Sequence, residues 1–260
     1  MSPLVAALIV GLLQGIIEWL PISSQGNLIL IMVLFLGLDA ADALVFSVFI
    51  HMGTGLAALT YFRGDIKRAL QVGLGSGRRL FRFLAVATLV TGAVGLPLFL
   101  SVRVASVYGE ALLALTGAAL ISMGVVERRA RRWGRRTAET LSLGDGVLLG
   151  LVQGLSAIPG VSRSGVTASA LLLKGFSGEE ALRISFLMSI PAVFAAALGL
   201  TLIEGPPPLE PSFMVALATS YLSAFLSVDL LLRLTRRVRF WALCIALGAA
   251  ALLPLIPHLL

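Results

Sequence analysis

Glu18, Ser23, Ser24, Gln25 and Asn27 crowd into the run GIIEWLPISSQGNLIL, residues 15–30, and Gln14 stands just before it. Gln14 and Glu18 are four apart and so share a helix face. A second run, AIPGVSRSGVTASALLLKG, residues 157–175, holds Ser162, Arg163, Ser164 and Thr167. An arginine flanked by hydroxyls and glycines where a helix begins has the composition of a phosphate cradle, because free N–H groups and the helix dipole favour an anion there. Hydroxyls, one carboxylate and one guanidinium suit phosphoryl transfer. In that chemistry Arg163 holds the phosphate oxygens, Ser23 or Ser24 attacks, and Glu18 serves as base or as ligand to a hard divalent cation. Spacing does not choose between the two serines; Ser24 is taken as the catalytic one, with Ser23, Asn27, Ser162, Ser164 and Thr167 as phosphate donors.

Each of these groups also has a plainer use. Small hydroxyl residues and glycine ease helix packing, Glu18 and Arg163 satisfy one another as a salt bridge, and Gln14 and Gln25 bond exposed backbone. His51, in FSVFIHMGTGLAALTYFRGDI, reads as a supporting residue that bonds a neighbouring segment. Asp229 and Arg233 are spaced for a helix ion pair, and His258 receives no role.

These polar groups need elements to hold them in an unusually apolar chain. Of 260 residues, 58% are hydrophobic and 13% charged, with a mean hydropathy of +1.00, which marks an integral membrane protein. No basic leader or cleavage pattern suggests a removable signal. The lone Cys244 excludes an intrachain disulfide, and two histidines make a zinc site of nitrogen and sulfur ligands improbable. Six stretches have bilayer length: about 44–62, 80–100, 108–126, 179–202, 212–233 and 240–258. Residues 3–36 and 141–173 are too long for one span and are broken at Pro21 and at Pro159-Gly160. Irregular backbone at membrane depth survives only inside protein or beside water, so both are expected to be re-entrant hairpins.

With that threading, 18 of the 20 basic residues fall on one face, including the cluster Arg128, Arg129, Arg131, Arg132, Arg135 and Arg136. Arg103 alone lies opposite, and Arg163 sits within a hairpin. The positive-inside rule makes the basic face cytoplasmic. Topology and anionic headgroups account for the net charge of +7 without nucleic acid. A shift of 139 residues pairs Gly11, Leu12, Gln14, Gly15, Ser23 and Gly26 with identical residues in the second hairpin. The expected architecture is therefore an all-α polytopic membrane protein of one domain, 1–260, with two halves of about 1–126 and 141–260. They form an inverted repeat of about six transmembrane helices and two re-entrant hairpins meeting near the midplane.

The segments QGIIEWLPISSQGN, FSVFIHMGTGLAALTYFRGDI, IPGVSRSGVTASALLLKG and ISFLMSIPAVFAAALG, in order from Gly11 to Gly199, resemble the undecaprenyl-diphosphatase family of the bacitracin-resistance type. The resemblance implies removal of the terminal phosphate from a polyprenyl diphosphate, which recycles the carrier lipid for cell-wall or glycan assembly, at a site facing outward from the plasma membrane. It places the family's (E/Q)xxxE motif on Gln14 and Glu18, its serine pair on Ser23 and Ser24, and its arginine motif on Ser162, Arg163, Ser164 and Thr167. It implies magnesium or calcium dependence, with Glu18 as the metal ligand. The pattern departs at Asn27, where the family commonly has a histidine; asparagine bonds a phosphate but cannot shuttle a proton. The alternative is a polyprenyl-phosphate transporter or flippase without hydrolysis. Expected partners are the lipid diphosphate, the bilayer and a homodimer mate.

Overall fold

A computed structural model describes residues 2–71, 76–106, 109–129, 134–207, 209–234 and 240–252. Helices run in the order α1 (Pro3–Ile17), α2 (Ser24–Leu36), α3 (Ala40–Tyr61), α4 (Arg63–Leu70), α5 (Ser76–Ser106), α6 (Gly109–Arg129), α7 (Leu143–Gly154), α8 (Arg163–Leu173), α9 (Gly178–Glu204), α10 (Pro211–Leu234) and α11 (Phe240–Leu252). Within the described residues, each of the six expected spans falls on a helix. Among the described residues, α3, α5, α9 and α10 contain the segments long and apolar enough to cross a membrane. Each expected hairpin is a pair of short helices, α1 with α2 and α7 with α8. Arg131, Arg132, Arg236, Arg237 and Arg239 of the expected basic face, the end of the sixth expected span and His258 lie outside the described residues.

Local chemistry sets the ends. Ser2 caps α1 with Pro3 in the first turn, Asp39 accepts from the Ala41 amide at the start of α3, and Ser142 with Asp145 forms a reciprocal cap on α7. Proline alone does not end a helix here. Pro97 lies inside α5 and Pro191 inside α9.

The short helices are carried on long ones. α1 lies along α10, α7 along α5, α6 against α11, and α3 contacts both α9 and α10. Lipid is as apolar as leucine, so tight approach through small residues supplies the packing. A Cβ on Gly15 would stand 2.5 Å from the Ser220 carbonyl and the Ala224 amide of α10. One on Gly150 of α7 would stand 2.7 Å from the Ala87 carbonyl of α5.

The second hairpin has its two ends tied. Asp145, in the first turn of α7, accepts from Lys174 at the end of α8 (2.8 Å) and from Arg136 (2.9 Å). Arg136 also lies over the Phe176 ring, 4.3 Å from its centroid. Nearby, Asp65 of α4 pairs with both Arg68 and Arg183, joining that helix to α9. α4 itself is too short and charged to have stood out in the sequence. Asp229 accepts from the Tyr61 hydroxyl, while the Arg233 side chain lies outside the described residues.

Gly15→Ala should therefore cost about 1–3 kcal/mol of stability through overpacking, seen as a lower thermal midpoint in detergent. Gly64→Ala, where a Cβ meets nothing within 4 Å, should hold or raise it. Equal midpoints for the two variants would contradict the α1–α10 contact.

Candidate active site

The two helix breaks face one another. Ser23, in the left-handed region at φ 59°, caps α2 by accepting from the Gly26 amide (3.3 Å). Ser162 caps α8 by accepting from the Gly165 amide (3.1 Å). Ser23 also accepts from the Gly160 amide of the opposite break (3.1 Å), which stitches the two together. The residue after each cap opens a helix: Ser24 opens α2 and Arg163 opens α8. Those two positions are counterparts under the 139-residue shift, so the nucleophile candidate and the guanidinium occupy equivalent N-termini.

Glu18 lies between them, 5% exposed. Its Oε1 accepts from Arg163 Nη2 at 2.6 Å. Its Oε2 accepts from Ser24 Oγ at 2.6 Å and Gln14 Nε2 at 3.0 Å, and stands 3.3 Å from His51 Nε2. Arg163 is steadied from α9, donating through Nη1 to the Ser185 carbonyl (3.2 Å). His51 Nδ1 lies 2.5 Å from the Ser47 carbonyl. A carbonyl only accepts, so Nδ1 carries the hydrogen and Nε2 is directed at Ser24 Oγ, 3.2 Å away. Ser24 Oγ thus stands within reach of both a carboxylate oxygen and an imidazole nitrogen.

These groups wall one end of a cavity of about 360 Å³, along with Ser23, Gln25, Ser162 and Ser164. Gln14 sits behind Glu18, fully buried. Two expected phosphate donors are placed otherwise. Asn27 does not line the cavity; its amide donates to the Ile22 (2.6 Å) and Ser23 (2.9 Å) carbonyls and so holds the break in shape. Thr167 bonds the Arg163 carbonyl (2.7 Å) and Ser185 Oγ (2.6 Å), a brace behind the guanidinium. Asn27 lies four residues past its cap and Thr167 five, and each turns onto the supporting frame rather than into the cavity.

Thr91 and Gln153 also line the cavity and were not among the expected site residues. The signal for Gln153 was its identity with Gln14 across the repeat; Thr91 had none. His51 lies nearer the centre than its supporting role implied. Glu18 is the expected metal ligand. Both of its oxygens already accept from protein donors, and no three His, Cys, Asp or Glu side chains gather among the described residues. This donor set does not form a protein-held site for the magnesium or calcium implied by the resemblance.

Residues 7–250 match the model of a family described as bacitracin resistance protein BacA. The chain is similar to an undecaprenyl-diphosphatase of Haloarcula marismortui, 40% identical over 95% of this chain and 96% of the relative. It is also similar to proteins of that name from Methanococcoides burtonii, 39% identical over 97% and 98%, and Methanothrix thermoacetophila, 42% identical over 95% and 94%.

Removing one charge of the central pair strands the other in a dry site. Glu18→Gln and Arg163→Met should each cost about 3–5 kcal/mol, and the double variant much less than their sum. Thermal unfolding in detergent reads this directly. Strictly additive losses would mean that the two charges do not support one another.

Proposed function

This chain belongs to the bacitracin resistance protein BacA family, and on that premise we propose that it hydrolyses an undecaprenyl-type polyprenyl diphosphate to the monophosphate and inorganic phosphate. The observation that carries the chemistry is Ser24 Oγ at 2.6 Å from Glu18 Oε2 and 3.2 Å from His51 Nε2. Ser24 Oγ attacks the terminal phosphorus, giving its proton to His51 Nε2, which is aimed by its Nδ1–H bond to Ser47. The bond to the bridging oxygen breaks, and polyprenyl monophosphate leaves. Water then cleaves the phosphoserine, releasing phosphate and restoring the Ser24 proton. Arg163 and the N-termini of α2 and α8 meet the phosphate oxygens, where charge builds in the transition state. Glu18 holds Arg163 and Ser24 in register, accepting the Ser24 hydrogen bond in the resting state.

Ser24 rather than Ser23 is the nucleophile in this scheme. Ser23 Oγ is taken up by two backbone amides, at 3.3 and 3.1 Å. Asn27 does not replace the missing histidine as a proton carrier; His51 takes that part, and Asn27 keeps the loop geometry. A flippase without hydrolysis is the less favoured reading, since the relatives carry hydrolase names and a flippase has no use for a serine set against a base.

The two halves are related as an inverted repeat with re-entrant hairpins. Support comes from reciprocal packing, each α1-type helix on the long helix of the other half, and from the Lys174–Asp145 contact that brings both ends of the second hairpin to one side. The basic loops face the cytoplasm. The cavity lies toward the outside, because its lining residues on α5 and α9 come well after the helix starts, which adjoin Arg78, Arg79 and Arg82 on α5 and Lys174 and Arg183 at α9.

Inorganic phosphate release from a long-chain polyprenyl diphosphate by purified protein tests this. Ser24→Ala, His51→Gln and Arg163→Ala should each lower kcat by about 10²–10⁴-fold, and Ser23→Ala and Asn27→Ala by far less. Full activity in Ser24→Ala would sink the serine mechanism.

A further inference from the structure

Beyond its polar end, the cavity is walled by two neighbouring helices, α5 and α9. On α5 the lining positions Thr88, Thr91, Gly92, Gly95, Leu96 and Phe99 recur three and four residues apart, so they form one face. That face changes along its length, hydroxyls first, then glycine, then leucine and phenylalanine. Opposite it stand Ala192, Ala195, Ala196, Gly199 and Ile203 of α9.

Gly92 and Gly199 are not packing contacts. No atom lies within 4 Å of where a Cβ on Gly92 or Gly199 would stand, in contrast to Gly15 and Gly150. Gly92, Leu96, Ala195 and Ala196 are exposed, so the slot opens sideways, where lipid lies. An ion pair between Arg103 and Glu204 joins the two helices one turn beyond Phe99 and Leu200. At the polar end Gln153, 1% exposed, donates Nε2 to Thr91 Oγ1 (3.0 Å), whose own hydrogen goes to the Gly150 carbonyl (3.2 Å). That chain fixes the amide orientation and leaves Gln153 Oε1 without a partner among the described residues.

We propose that the α5–α9 slot is the subsite for the first isoprene units of the lipid, and that the rest of the chain leaves through it into the bilayer. This rests on the hydrolase reading above and deepens it. Size decides the point: about 360 Å³ is near the lower end of the roughly 300–1,000 Å³ of drug-sized sites. A diphosphate with a few isoprene units fills such a space, and a long polyprenyl chain cannot be enclosed. The enzyme therefore reads the headgroup and the proximal units, and is indifferent to chain length beyond them.

Gly92→Leu and Gly199→Leu fill the slot without touching the polar cluster. With a long-chain polyprenyl diphosphate, kcat/KM should fall by on the order of tenfold or more; with a short isopentenyl diphosphate it should change by less than about threefold. Gly199→Ala, which adds one methyl in open space, should fold as wild type and give an intermediate loss. Leu202→Phe, on the lipid-facing side of α9 and 80% exposed, should leave both substrates unaffected. Equal losses for both substrates in folded variants, or no loss for either, would overturn the slot. If wild type released phosphate from neither substrate, the hydrolase reading would fall, and the slot would then be judged by binding: Gly199→Leu must still weaken the long lipid more than the short one, or the slot falls too.

Discussion

Glu18 and Arg163 form a largely buried charge pair 2.6 Å apart between two broken helices. Neither charge is tolerable there alone, and together they still require every remaining lone pair and hydrogen to be satisfied. That requirement explains the neighbours. Gln14, Ser24 and His51 complete the carboxylate, the Ser185 carbonyl takes the second guanidinium nitrogen, and Thr167 braces Arg163 through its carbonyl and Ser185. The charges come from different hairpins, 145 residues apart, so the pair also fixes how the two hairpins meet.

A continuous helix could not present these groups. Breaking each hairpin frees amides at the start of α2 and of α8, and the serine caps consume only some of them. The rest, with the dipoles behind them, make two positive ends converging on one cavity. The glycines at the seams let backbone approach backbone: a Cβ on Gly26 would stand 2.7 Å from the Gly160 amide, which is why the breaks touch rather than merely face. Long helices then serve as the frame, with α10 and α5 each carrying one of the leading short helices.

Much of this was legible because cost shows in sequence. An arginine, a glutamate and a row of hydroxyls inside apolar segments are expensive, so their presence pointed to a site and their spacing to helix starts. The breaks were legible at Pro21 and Pro159 because glycine and serine stand beside them. The same residue type inside α5 or α9 is absorbed, since those helices run on through Pro97 and Pro191. Side-chain direction was not legible. Asn27 and Thr167 look like phosphate donors until the backbone geometry turns them onto carbonyls. His51 looked peripheral because its partners lie 27 and 33 residues away in sequence and become neighbours only when α3 crosses the first break. The α5–α9 slot had no polar signal at all, since open space between small residues reads like ordinary helix packing.

The central claim is that Ser24 carries the phosphoryl group between the lipid and water. The most direct measurement is a rapid quench of the purified protein during turnover of a polyprenyl diphosphate labelled on its terminal phosphorus, followed by mass-spectrometric mapping of the labelled peptide. The account predicts a transient phosphoserine at Ser24, formed at a rate compatible with turnover and absent from Arg163→Ala. Label on Ser23, or steady phosphate release with no labelled protein at any time, would contradict it and make water the direct nucleophile.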